Sequence, residues 1–149
     1  MIAWEPATLG VIPGGPELQA QINAPAEAYL AEHPGDWAGA AHVLLDVLSE
    51  GRADHDAPQV KAMMANAEAM VRDDGQLIVG RTFAPGELPA GRVRIAVSES
   101  PDPLHKAIAD TIAGTVGGTP EVVPGADEHE FYLFRPEVMA DYLARALAA

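Results

Sequence analysis

Apolar positions in this chain follow a helical spacing first and a strand spacing later. From Glu17 to Leu30, Leu18, Ile22, Ala26 and Tyr29 or Leu30 recur every three to four residues on one side, which predicts a helix. Pro25 lies inside that run and predicts a break or kink, because proline lacks the amide donor a helix interior uses. The next helix is the clearest. Trp37, Ala40, Ala41, Leu44, Leu45 and Leu48 form an apolar stripe, Asp36 stands where an N-cap belongs, and Gly51 closes it. A third helix is predicted from about Pro58 to Arg72, with Val60, Met63, Met64, Ala67 and Val71 at helical spacing. Asp56 is its candidate cap and Asp73-Asp74-Gly75 its stop.

Short strand-like runs flank this helical block. Met1-Ile2-Ala3-Trp4 ends at Glu5-Pro6, and a loop with Pro13-Gly14-Gly15-Pro16 follows. Arg92 to Val97 reads as a buried strand introduced by the loop Pro85 to Gly91, and Glu121-Val122-Val123 reads as another. A helix from Leu104 to Val116 joins them, with Ile108, Ile112 and Val116 on one face and Gly117-Gly118 at its end. A last helix opens with Pro136 at its first position. Strand, helix, strand, helix predicts βαβ units and a parallel sheet. The fold class is therefore α/β: a short parallel sheet of about three strands, a helical cap-like insertion and a C-terminal helix. One domain over 1–149 is expected, divided into strand and loop (1–16), helical segment (17–75) and βαβα segment (76–149). A strand at the very start reads as one whose upstream neighbours are missing. A three-stranded parallel sheet also leaves an edge that a partner would cover.

The composition narrows the classes. Hydrophobic residues make up 48% of 149 residues, enough for a core. The absence of cysteine removes disulfides, thiolate metal sites and a cysteine nucleophile together, and fits a reducing cytoplasm. A net charge of −13, from 22 acids against 9 bases, would be repelled by phosphate backbones, so nucleic acid is disfavoured and the acidity reads as solubility. No apolar run reaches membrane-spanning length and no secretory leader is legible, so neither a membrane nor export is expected.

The chemistry concentrates in the last quarter. Val122-Val123 meets Pro124-Gly125, an acidic loop Ala126-Asp127-Glu128-His129 follows, then an aromatic patch (Phe131, Tyr132, Phe134) and the Pro136-Glu137 helix start. This strand, histidine loop and helix closely resemble the C-terminal end of α/β-hydrolases. The resemblance extends over the chain: Ala3-Trp4-Glu5-Pro6 is similar to the end of the strand after the nucleophile elbow, residues 17–75 to a helical cap, Val93 to Val97 to the penultimate strand and Glu121 to Val123 to the last one. It implies that His129 is a general base, and that its acid comes from the loop Ser98-Glu99-Ser100-Pro101-Asp102-Pro103. Ser100 fills the usual acid position, leaving Glu99 or Asp102 to substitute. The nucleophile elbow, G-x-S-x-G, has no counterpart here. Asp127, Glu128 and Glu130 around His129 would favour its imidazolium form unless they face solvent.

Other candidates are weaker. Ser98 and Ser100 stand at the carboxyl end of a strand, where open α/β sheets bind ligands, but they lack the glycine flanks of an elbow and read as turn serines. Asp54-His55-Asp56 offers ligand types at adjacent positions that cannot converge on one ion. His42 and Asp46 are four apart on a helix with no third ligand declared, and His33 and His105 have no constellation. Met63, Met64 and Met70 read as core, or as the lining of a flexible apolar pocket. No P-loop, dinucleotide fingerprint or zinc-protease motif is present, so no metal or cofactor is expected. Three accounts follow. The chain belongs to a split or truncated hydrolase of ester-type small molecules, completed by a complementary N-terminal half. Or two copies pair through the exposed sheet edge and bind a small apolar molecule. Or it is a non-catalytic remnant or interaction protein.

Overall fold

The computed structural model describes residues 1–84, 86–129 and 131–148, and the side chains of these except Gln76, Leu77, Leu133 and Phe134. The expectation placed on Glu130 lies outside the described residues. The chain divides into two compact units, Thr8–Arg81 on one hand and Met1–Ala7 with Thr82–Ala149 on the other.

In the first unit, a 3-10 turn at Leu9–Val11 leads into α1 (Gly15–Glu32), which continues through Pro25, so of the expected break or kink the break does not occur. Pro25 removes one intrahelical bond, but Ala26 beside it is fully buried in the unit's core, and that packing holds the helix together. α2 (Trp37–Leu48) starts as predicted: an Asp36 carboxylate oxygen accepts from the Gly39 amide at 2.9 Å. Its other oxygen accepts from the Tyr29 hydroxyl at 2.7 Å, tying the cap to α1. Ala26, Ala40, Ala41, Leu44, Ala67 and Val71 form the core, with Met64 and Met70 packed against it and Met63 exposed.

The third predicted helix is broken. α3 (Pro58–Met63) gives way to a 3-10 turn at Met64–Asn66, a single turn α4 (Ala67–Ala69) and a π-helical stretch Met70–Ile78. Asp73-Asp74-Gly75 lies inside that stretch and does not stop it. The Gly75 carbonyl instead accepts from Gln19 Nε2 at 2.6 Å and Asn23 Nδ2 at 3.1 Å, both on α1. Side chains of a neighbouring helix thus support a widened turn that local spacing does not reveal. Asp56 is not the cap of α3; Ala57 holds that position and Asp56 pairs with Lys61.

The second unit carries the sheet. β1 (Ile2–Trp4), β2 (Arg94–Val97) and β3 (Glu121–Val122) are parallel, in the order β1-β2-β3. Ala96 packs with Val123, Ala126, Phe131 and Tyr142, while Ile95 and Val97, alternating with it, are buried towards the opposite side. α5 (Pro103–Thr115) packs against β2 and buries Ile108, Ala109, Ile112 and Ala113. A turn of helix α6 (Phe131–Phe134) and the terminal α7 (Pro136–Ala148) complete the unit. Among the described residues no helix is long and apolar enough to cross a membrane.

Candidate functional site

Three parallel strands bring their carboxyl ends to one place, and each delivers one polar residue there. Glu5 directly follows β1, and its amide extends the ladder by donating to the Ala96 carbonyl at 2.9 Å. β2 ends in Ser98. Beyond β3, the turn in which the Ala126 amide bonds the Val123 carbonyl starts the loop that carries His129. Crevices beyond such strand ends are where open α/β sheets bind ligands.

Glu5 is the unexpected centre. It is 2% exposed, and its backbone φ of +31° lies in a region that residues other than glycine seldom occupy. One carboxylate oxygen accepts from the Ser98 amide at 2.8 Å and from the Ser98 hydroxyl at 2.6 Å. The other faces His129 Nδ1 at 2.9 Å. Burial alone would push the carboxyl pKa up. The Ser98 hydroxyl, the Ser98 amide and His129 together outweigh it and hold Glu5 below the ordinary glutamate value. A strained backbone that aims a buried carboxylate at an imidazole is the kind of feature found at functional sites.

The histidine loop is fixed by aromatic packing. Trp4 Nε1 donates to the His129 carbonyl at 2.9 Å, and the Trp4 ring meets Phe131 edge-on at 4.9 Å between centroids. Asp127 pairs with Arg135 and so is not directed at His129. The His129 ring stacks on His105, with centroids 4.5 Å apart and planes 17° apart. His105 sits in the first turn of α5, and its Nδ1 pairs with Asp102.

The two acids expected beside His129 are elsewhere. Asp102 caps α5, accepting from the Leu104 amide at 2.8 Å and the His105 amide at 3.1 Å, and it orients His105. The His105 hydrogen bond, with help from the cap amides, overrides partial burial and keeps Asp102 below the usual aspartate range. Glu99 accepts from the Gly125 amide at 3.3 Å and is exposed. The carboxylate on His129 is Glu5. Ser98 is fully buried with its hydroxyl given to Glu5, which makes it an anchor for that carboxylate. Ser100 is exposed.

No family model matches this chain, and neither the curated proteins nor the solved structures yield a match. The geometry is then the whole basis for a functional reading.

Glu5, His105 and His129 place potential ligand atoms within 4.8 Å of one another. An imidazole binds a metal along the lone pair in its own ring plane. With the two rings stacked 17° apart, those lone pairs lie in two separate and nearly parallel planes, so one ion cannot lie in both planes until a ring turns. As arranged, the cluster is two carboxylate–imidazole pairs face to face, which is a proton-handling arrangement. A separate cleft of about 490 Å³, lined by Arg94, Glu121, Tyr142 and Arg145 among others, contains neither Glu5 nor His129. There the Tyr142 hydroxyl, held by burial and by donation to Glu121 at 3.0 Å, has its pKa pushed up to about 12.

Sequence reading missed Glu5 and His105. The available signals were a carboxylate at a strand's carboxyl end, and an Asp and His three residues apart across a helix start.

Proposed function

We propose that this chain contributes the acid–base half of a hydrolase-like acyl-transfer site, in which Glu5 orients His129 as general base. The observation that carries this reading is the approach of Glu5 to His129 Nδ1 at 2.9 Å, at the carboxyl end of a parallel sheet. A buried anion on Nδ1 favours the tautomer with the proton there, which leaves the Nε2 lone pair as the base. It also stabilises the imidazolium formed when Nε2 takes a proton. Stacked on its other side, His105 limits rotation of the ring.

The nucleophile comes from outside this set of groups. Ser98 points its hydroxyl at Glu5, and neither serine of the 98–100 loop has the backbone donors of an oxyanion hole in a glycine-flanked elbow. A second polypeptide segment supplies both, acting on ester-type small molecules. The open edge of β1 is where it would add. Glu5 N–H and the Met1 carbonyl are spent on β2, so by strand alternation the Ile2 and Trp4 backbone groups face away from β2. The second reading, a homodimer built on that same edge and binding a small apolar molecule, rests on the same outward-facing groups.

The test is hydrolysis of p-nitrophenyl acyl esters by the untagged chain alone and by the assembly recovered with it. The chain alone is expected to give no saturable turnover. In an active assembly, His129→Ala should lower kcat by about 10²–10⁴-fold, the usual worth of a positioned base. An active assembly indifferent to His129→Ala would overturn the reading. So would turnover by the isolated chain that depends on Ser98 or Ser100.

A further inference from the structure

A second histidine pair lies in the Thr8–Arg81 unit, and its geometry differs from that of the first in the respect that matters for a metal. On α2, His42 and Asp46 are four residues apart and share a face. The loop after α2 returns His55 to that face. The Ser49 hydroxyl accepts from the Ala53 amide at 2.9 Å, and the Asp54 carboxylate accepts from the Asp56 amide at 3.0 Å. Asp54 is thereby used in the turn, and Asp56 pairs with Lys61 at 2.9 Å. The acids adjacent to His55 are thus engaged, and Asp46 is the one that reaches its ring, at 2.7 Å from Nε2.

His42 Nδ1 and His55 Nδ1 face each other at 2.5 Å. Their ring planes are 69° apart, against 17° for His105 and His129. Planes at that angle intersect, and the close Nδ1 approach directs both nitrogens at one region, whereas the stacked pair lies in two nearly parallel planes. Asp46 on Nε2 of His55 fixes the proton at that nitrogen and leaves Nδ1 as a lone pair, the outer-carboxylate arrangement that supports a metal-bound histidine. Two nitrogens this close cannot both present bare lone pairs: either a hydrogen, as in a neutral N–H···N bond, or a cation lies between them.

We propose that His42 and His55 chelate a divalent cation of the zinc class through their Nδ1 atoms, with Asp46 as the orienting carboxylate and water in the remaining positions. Imidazole nitrogen is a preferred ligand of such ions. Zinc–nitrogen bonds of about 2.0–2.1 Å need the two nitrogens roughly 3.3 Å apart in a tetrahedral site, so the pair must open by under about 1 Å. His55 stands on a surface loop with its side chain 36% exposed, and such a loop gives at small cost. This site is independent of the acid–base reading above.

The experiment is calorimetric titration of the metal-stripped full chain with zinc chloride at neutral pH. One ion per chain is expected. His42→Ala and His55→Ala should each weaken binding at least tenfold, and Asp46→Asn by about tenfold, the lower end for an outer-shell partner. Asp46 is exposed, so its variant tests the site even if His42→Ala disturbs α2, which circular dichroism monitors. Absence of zinc binding, or binding unchanged in both histidine variants, would overturn the proposal. Loss confined to His105→Ala or His129→Ala would also overturn it, placing the ion in the other cluster.

Discussion

Replacing Glu5 by alanine is expected to lower the unfolding free energy by about 3 kcal/mol, because it strands two donors of Ser98 in a buried site. An unsatisfied buried donor costs about 1–3 kcal/mol, and here there are two, while His129 Nδ1 is deprived of its carboxylate as well. Glu5→Gln keeps an oxygen for Ser98 and should cost about 1 kcal/mol. The pH dependence has a definite sign. The native pKa of Glu5 is lowered from 4.5, so its stabilisation is fully present above that value and is lost as pH falls through the lower native one. Urea unfolding of wild type and Glu5→Gln across the acid range should therefore converge at low pH. A loss below about 0.5 kcal/mol for Glu5→Ala, or a wild-type–Gln difference flat with pH, would remove Glu5 from the centre of the site.

Phe131→Ala should cost still more, about 3–5 kcal/mol, the range for emptying a buried aromatic position. Phe131 is 0% exposed, packs with Ala96, Val123, Ala126 and Tyr142, and supports the Trp4 ring that holds the His129 carbonyl. The same urea titration checks it, with near-ultraviolet circular dichroism of Trp4→Phe compared to assign the Trp4 part of the signal, since Trp37 contributes too. Phe131→Leu should recover most of the stability, since it refills most of the volume. A Phe131→Ala protein within about 1 kcal/mol of wild type would mean that the histidine loop is not anchored through this ring.

Elements built from local signals were legible in the sequence. The Asp36 cap, the α2 stripe, the proline that opens α7 and the three short strands of the sheet all depend on spacing or on residues a few positions apart. What was not legible depends on distant neighbours. The π-helical stretch Met70–Ile78 is supported at Gly75 by Gln19 and Asn23, more than fifty positions away. α1 survives Pro25 because Ala26 is enclosed by α2 and α4 residues. The candidate site follows the same rule. His129 announced itself through its loop, but its carboxylate lies 124 positions earlier, and periodicity carries no information at that separation. Asp102 looked like a triad acid because a carboxylate at a strand-to-helix turn also serves as a helix cap, which is the role it has.

The central claim is that Glu5 holds His129 with its proton on Nδ1 and its base on Nε2. Long-range proton–nitrogen NMR on the ¹⁵N-labelled chain in mildly alkaline buffer reads that tautomer directly. The expected result is a His129 ring protonated at Nδ1, with the preference abolished in Glu5→Gln. A ring protonated at Nε2, or one unchanged by Glu5→Gln, would contradict the account.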